Sequence, residues 1–284
     1  MSDVLSRAPT ILSIQSQVVG ARVGNSVAAF AMERLGVRVL ALPTTVLGRR
    51  PDHGAPGGGP LPAATLTALL DGVRADGLFD DIDAVLTGYF GATEQVPVVL
   101  DAIERIKAIN PKAIFACDPV VGDDGRLFVS DALADAVLNK LAPRADWLLP
   151  NAYELGLLAD RAIDSPKAAR DAAGRFGKPV LVSSVRTATG LGNLYVATGS
   201  EWFCETPRLP RAPKGAGDLL SALFLARRLR GDALTLSIKG ATGAVYDVIV
   251  RSIAADSEDL LLPEAQEVLA DPVTWPNARR LELA

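Results

Sequence analysis

Histidine is almost absent from this chain of 284 residues: His53 is the only one, which leaves no material for a histidine-based catalytic triad. Cysteine is nearly as scarce. Cys117 and Cys204 lie far apart, with neither the density of a disulfide framework nor the spacing of a metal site, and both read as buried or incidental thiols. A basic surplus is missing too. The 29 Lys and Arg stand against 33 Asp and Glu, a net charge of −4, which removes any electrostatic reason to expect non-specific binding to nucleic acid or an anionic membrane. The longest apolar runs, such as Leu219 to Ala226, fall far short of the roughly 20 residues a bilayer crossing needs. Met1 to Pro9 carries Asp3 and Arg7 with no following apolar segment, so it does not read as a signal peptide, and a cytoplasmic location is expected. Repeats, heptads, low-complexity tails and shifts of composition are lacking as well, which predicts a single domain over residues 1–284. What is present, 49% apolar and 22% charged residues, is ordinary globular usage, and small molecules suit it best as partners.

Along the chain, an apolar strand over Thr10 to Ser16 leads through Gly20 and Gly24 into a helix from about Asn25 to Leu35, and a second strand follows over Val37 to Leu42. Short apolar runs recur at Ala84 to Thr87, Ala113 to Cys117, Trp147 to Leu149 and Pro179 to Ser183, separated by helical stretches such as Gln95 to Ile109 and Ala132 to Leu141. Such alternation predicts an α/β fold, a mostly parallel central sheet with helices on both faces. Asn193 to Ala197 and Glu201 to Thr206 flank a Thr-Gly-Ser turn and predict an antiparallel hairpin at one edge. The stretch from Gly48 to Pro62, with five glycines and four prolines, is too irregular for a core element: a plain linker or a loop that closes over a ligand.

The strongest local signal is Gly215-Ala216-Gly217-Asp218, followed directly by an apolar helix. Glycines there let the backbone approach an anion, and the unpaired N–H groups of a first helical turn point at it, which makes a phosphate seat. Asp218 then stands where a transferring phosphoryl group would pass and can accept the proton of an attacking hydroxyl. The same tetrad would also serve as a simple turn whose Asp218 caps the helix electrostatically. Asp118, in Cys117 to Gly125, sits at the end of a strand, where open α/β sheets bind nucleotides and metals, although Asp-Pro and Asp-Asp-Gly are ordinary turn formers. Asn151 and Glu154 fall three apart just past another strand. Either the carboxylate is free to hold a hydrated Mg²⁺, or the two form a capping box. Ser183 and Ser184 end a further strand and offer hydroxyls to phosphates; serines in a loop are also simply common. His53 reads as a solvated loop residue, and Lys214 as a solvated lysine or a phosphate contact. Each motif alone is ambiguous. Together they fall at strand carboxyl ends or a helix start.

Ser13-Ile14-Gln15-Ser16, Val23-Gly24-Asn25, Leu86-Thr87-Gly88-Tyr89, Cys117-Asp118-Pro119-Val120, Pro150-Asn151 with Glu154, and the tetrad follow one order and spacing. In these the chain resembles the pyridoxal kinase family of the ribokinase-like superfamily, over most of its length. The tetrad is shared widely in that superfamily; the Ser-Ile-Gln-Ser opening and the Thr-Gly-Tyr turn are more particular. The resemblance implies an ATP- and Mg²⁺-dependent kinase of the pyridoxal 5′-hydroxyl and a homodimer. It also implies Asp218 as the base and Gly215, Ala216 and Gly217 as the anion hole. Asp118, Asn151 and Glu154 would organise ATP and Mg²⁺, with Asp118 and Glu154 toward the metal and Ser183 and Ser184 near the phosphates. Ser16, Val23, Leu47 and Tyr89 would line the pocket for pyridoxal or a related B6 vitamer. One stretch departs: where the family has Phe-Ser-Asn-His-Thr, this chain reads Leu47-Gly48-Arg49-Arg50-Pro51, exchanging an aromatic ring and a histidine for an aliphatic side chain and an arginine. That departure keeps two other readings in play, a kinase of hydroxymethylpyrimidine or another heterocyclic alcohol, and a non-catalytic binding homologue.

Overall fold

The computed structural model describes residues 7–281; Met1 to Ser6, and with them part of the leader stretch considered above, lie outside the described residues. Its strands are β1 (Thr10–Val18), β2 (Arg38–Leu47), β3 (Gly58–Pro60), β4 (Ala84–Thr87), β5 (Ile114–Cys117), β6 (Gly122–Asp123), β7 (Arg126–Leu127), β8 (Trp147–Leu148), β9 (Val180–Arg186), β10 (Gly190–Ala197), β11 (Ser200–Pro207) and β12 (Ala278–Arg279). The helices are α1 (Asn25–Arg34), α2 (Ala63–Ala75), α3 (Gln95–Ile109), α4 (Asp131–Asp135), α5 (Ala152–Ala159), α6 (Pro166–Ala173), α7 (Ala216–Leu229), α8 (Leu234–Ala254) and α9 (Gln266–Ala270).

Strand side chains alternate between faces, and here both faces are apolar. Leu12 and Ile14, Val85, Phe115 and Cys117, and Val180 and Val182 pack into one core layer beneath α2, α3, α4 and α6. Their neighbours Ile11, Ala84 and Leu86, Ala116, and Leu181 pack on the other side beneath α1, α7, α8 and α9. The resulting sheet of ten strands runs β12-β11-β10-β9-β8-β5-β4-β1-β2-β3. It is parallel from β2 through β9 and antiparallel at both margins, where β9, β10, β11 and β12 pair on one side and β2 with β3 on the other. Among the described residues no helix is long and apolar enough to cross a membrane.

Several expectations need correction. β2 runs on to Leu47, five residues past the predicted end, because it pairs with β1 as far as Val18. The glycine- and proline-rich stretch is not wholly irregular: it holds a 3-10 turn at Pro51–His53 and the edge strand β3. The hairpin β10–β11 is covered on its outer side by β12, so it is not itself the margin. The helix expected over Ala132 to Leu141 begins as α4 and widens into π geometry over Ala136–Leu141. A small hairpin, β6–β7, turns through Asp124 and Gly125, both left-handed at φ 49 and 82, the two-residue Asp-Gly loop that suits right-twisted strands.

Candidate active site

Two glycines bring three distant segments together. Gly215, the residue before α7, has φ 93, and a Cβ there would lie 2.1 Å from the Arg22 carbonyl oxygen. Gly24, before α1, has φ 56 and lies against Ser16, whose carbonyl oxygen would be 2.3 Å from a Cβ. Only glycine combines that backbone with that closeness. The Gly24 N–H then donates to Asp218 Oδ2 at 2.8 Å, across 194 residues of chain. The first intrahelical bond of α7 runs from Leu219 N–H to the Gly215 carbonyl. Residues 216 to 218 therefore supply the first-turn N–H groups that a helix leaves for an anion.

Asp218 is half-buried, and burial raises its pKa while the Gly24 N–H pulls it back. Beside it, at the end of β5, Asp118 is 7% exposed and accepts a hydrogen bond from Ser221 Oγ at 2.8 Å. Burial first, then the charges of Glu154 and Asp218, push Asp118 well above the usual carboxylate range. Glu154 is 2% exposed, and burial pushes it up to about 8 against its backbone donors.

The structure decides between the two readings of Asn151 and Glu154 in favour of the capping box, both of whose bonds form at the start of α5. Glu154 Oε1 accepts from Val121 N–H at 3.0 Å and Oε2 from Asn151 N–H at 3.0 Å, so the carboxylate expected to be free is held by backbone. Asn151 Nδ2 donates to the Gly122 carbonyl at 2.8 Å, which ties α5 to the β6–β7 hairpin.

A cleft of about 1340 Å³ is lined among others by Asn151, Ser183, Ser184 and all of Gly215, Ala216 and Gly217, while Asp118, Glu154 and Asp218 do not themselves line it. Ser184 sits there at φ 60, a left-handed conformation unusual for serine. The other predicted residues lie outside this cleft. Leu47 and Val23 join Val18 and Ala21 in a separate apolar cluster, and Ser16 lies against Gly24 at its side. Tyr89 is half-buried, and its carbonyl accepts from Thr44 Oγ1 of β2 at 2.7 Å. Asp218 follows directly on Gly217 of the cleft lining and is tied by its Gly24 bond to the turn that carries Val23.

Lys214 is exposed at the cleft and lies 5.5 Å from the Phe128 ring centre, and His53 is exposed but paired with Arg50 and Glu258. Sequence reasoning missed a buried polar layer beneath the site. Asn25 Oδ1 accepts from Ser13 Oγ at 2.7 Å, and its amide reaches the Gln15 and Leu42 carbonyls, which locks β1, β2 and α1. Gln95 is fully buried, donates to the Thr44 and Leu61 carbonyls at 2.6 and 2.8 Å, and accepts from Gly91 and Ala92 N–H. Gln95→Leu strands all four groups and is expected to cost roughly 2–4 kcal/mol, read as a lower urea midpoint with an unchanged slope. Ser221, three residues past Asp218 on the same helix, had a usable signal in that spacing.

A doubly covered parallel sheet with a carboxylate in the first turn of a helix whose N–H groups face a cleft is an arrangement suited to phosphoryl transfer, the chemistry of the small-molecule kinases. Residues 31–261 match the family model described as phosphomethylpyrimidine kinase. The chain is 36% identical to the pyridoxal kinase PdxY of Pseudomonas aeruginosa (strain UCBPP-PA14), across 98% of this chain and all of that one. It is 37% identical to its counterpart in Pseudomonas fluorescens (strain SBW25), at the same coverage. Among solved structures, pyridoxal kinase from Leishmania donovani in complex with ADP and pyridoxamine superposes with a TM-score of 0.89 at 28% identity, covering 96% of this chain and 99% of that chain. Pyridoxal kinase from Entamoeba histolytica, at 22% identity and a TM-score of 0.90, shares the fold. The chain belongs to the pyridoxal kinase family.

Proposed function

We propose that this protein transfers the γ-phosphoryl group of ATP to the 5′-hydroxyl of pyridoxal, giving pyridoxal 5′-phosphate and ADP. The observation that carries this reading is the place of Asp218, in the first turn of α7 directly after Gly217 of the cleft lining, and hydrogen-bonded at 2.8 Å to Gly24 of the turn that carries Val23. The cleft holds the nucleotide, with the phosphates along Ser183, Ser184 and the N–H groups of residues 216 to 218. Asp218 takes the proton of the acceptor hydroxyl as its oxygen bonds to the γ-phosphorus and the bond to the β,γ-bridging oxygen breaks. Catalysis comes from position and fixed dipoles, and no phosphoenzyme forms.

Mg²⁺ fits the donor set. Asp118 is a buried carboxylate at the end of β5 and would hold the cation, whereas both oxygens of Glu154 are already held by backbone N–H groups and it would add only its charge. A cation there would take further ligands from phosphates and water, as Mg²⁺ does. When bound it neutralises charge on the phosphates. We further propose one domain over residues 1–284, a homodimer and a cytoplasmic location.

The deciding assay follows ATP consumption and product formation with Mg²⁺ and pyridoxal, beside hydroxymethylpyrimidine as the second reading, a relative of the phosphomethylpyrimidine in the matched family model's description. Pyridoxal 5′-phosphate as the main product supports the proposal; turnover of the pyrimidine alone moves the substrate, and turnover of neither overturns it. Asp218 must be ionised to act, and burial raises its pKa. kcat/KM is therefore expected to climb with pH along a limb lying above the ordinary Asp value of about 3.9. A limb at the ordinary value would count against Asp218 as the base.

A further inference from the structure

Among residues 48 to 60, one side chain is buried, and it is charged: Arg50, 9% exposed. This glycine- and proline-rich segment follows Leu47 directly and closes on itself where Gly48 N–H reaches the Pro56 and Gly57 carbonyls. Its two ends are anchored by backbone, Gly48 by the Gly20 N–H and Gly58 to Pro60 by pairing with β2, and between them Arg50 supplies the one buried side chain. Arg50 grips Asp52 of its own loop with two bonds of 3.0 and 2.8 Å. Its Nη1 points elsewhere, to Asp259 Oδ1 at 3.5 Å in the connection between α8 and α9. Both of those atoms are buried, and neither has a hydrogen-bond partner. They face one another as an ion pair short of hydrogen-bond contact.

The same connection takes hold of a second segment. Arg211, in the stretch that leads to the Gly215 tetrad, pairs with Asp256 at 2.8 Å, and His53 approaches Glu258 at 3.6 Å. A cavity of about 240 Å³ separates Arg50 and His53 from Arg211 to Lys214. One acidic turn, 256–259, therefore touches both loops that border the site. These contacts do not count equally. The side chains of Asp256 and Glu258 are 99% and 75% exposed, so water and salt screen their pairs. Arg50 and Asp259 are 11% and 34% exposed in their side chains, so their pair is screened least; Asp52 still balances the Arg50 charge when Asp259 is removed, and what that removal loses is the tie to the 256–259 turn.

We propose that Asp259 and Arg50 form a clasp that positions the loop 48–57 over the acceptor side of the site, making both of them positioning residues for acceptor binding. Asp259 acts through Arg50, and Arg50 through the backbone that continues from Leu47. The arginine that replaces the family's histidine stretch is thus engaged with acidic side chains of its own loop and of the 256–259 turn. The acceptor role rests on the reading given under Proposed function; the clasp itself does not.

The test is a double-mutant cycle of Arg50→Gln, Asp259→Asn and the pair, with circular dichroism confirming that each folds. Limited trypsin digestion reports cleavage after Arg49, which every variant retains. Steady-state kinetics report KM for pyridoxal and for ATP separately. Each single variant is expected to be nicked after Arg49 roughly tenfold faster than wild type and to show a roughly tenfold higher pyridoxal KM, with ATP KM within about twofold. The double variant is expected to be no worse than either single one. Additive effects, or unchanged cleavage in Asp259→Asn, would overturn the clasp; faster cleavage with unchanged pyridoxal KM would overturn its positioning role. A wild type that ignores pyridoxal would sink the acceptor reading alone, and the cycle of cleavage rates would still judge the clasp.

Discussion

Asp218→Asn is expected to lower kcat by roughly 10²- to 10⁴-fold, the usual contribution of a positioned general base, while raising the melting temperature of the ligand-free protein. Both halves follow from one environment. Asp118, Glu154 and Asp218 each have a pKa raised by burial, and Asp218 adds to the repulsion on Asp118. A carboxyl whose pKa is higher in the folded state than in the unfolded one destabilises the fold once pH passes the unfolded value, and increasingly up to the folded one. Asparagine removes that charge yet keeps an oxygen to accept the Gly24 N–H. Without the ionised oxygen, the acceptor proton has nowhere to go. If Asp218 merely caps α7, the outcome reverses: removing a negative charge from a helix start costs roughly 0.3–1 kcal/mol, and kcat changes by less than about tenfold. Thermal melts and kcat on the same preparation separate the two roles.

That contrast marks where sequence reasoning ran out. The parallel strands were legible because both faces bury apolar residues, and the cleft-lining residues Asn151, Ser183 and Gly215 could be picked out because they fall where strands end or helices begin. Leu47 could be placed near the site but not at the end of β2, since Pro43, Thr44 and Thr45 interrupt the apolar run that ends at Leu42. Glu154 carried two meanings at one spacing. A capping box and a metal-facing carboxylate both need an acidic group three residues past Asn151, and only the backbone donors of Val121 and Asn151 distinguish them. Arg50 was visible as a change of chemistry, yet its partner Asp259 lies 209 positions away along the chain, beyond any local pattern. Gln95 fell at the start of a predicted helix and gave no hint that it joins three segments.

The tetrad glycines were read as one device, and the structure assigns them different work, which a pair of variants exposes. Gly215→Ala forces a side chain onto a backbone at φ 93 and places its Cβ 2.1 Å from the Arg22 carbonyl oxygen. The left-handed conformation costs about 1–2 kcal/mol, and the overpacking about 1–3 kcal/mol more. At about 2–4 °C per kcal/mol for domains approaching this size, the melting temperature is expected to fall by roughly 5–15 °C. Relief of the clash pushes the Arg22 to Gly24 turn away from α7. The bond that orients Asp218 comes from Gly24, so kcat/KM is expected to drop by at least about 100-fold as well. Gly217→Ala meets nothing within 4 Å, and its position in the first turn of α7 tolerates alanine, the best helix former. Its stability is expected to hold or rise. Its added methyl instead projects from a residue that lines the cleft beside the first-turn N–H groups, so the loss appears as weaker nucleotide binding and slower turnover. Calorimetry of ADP binding beside thermal melts of both variants checks the division. Equal destabilisation by the two alanines would mean that the tetrad is only a turn, and full activity in Gly217→Ala would mean that no anion sits there.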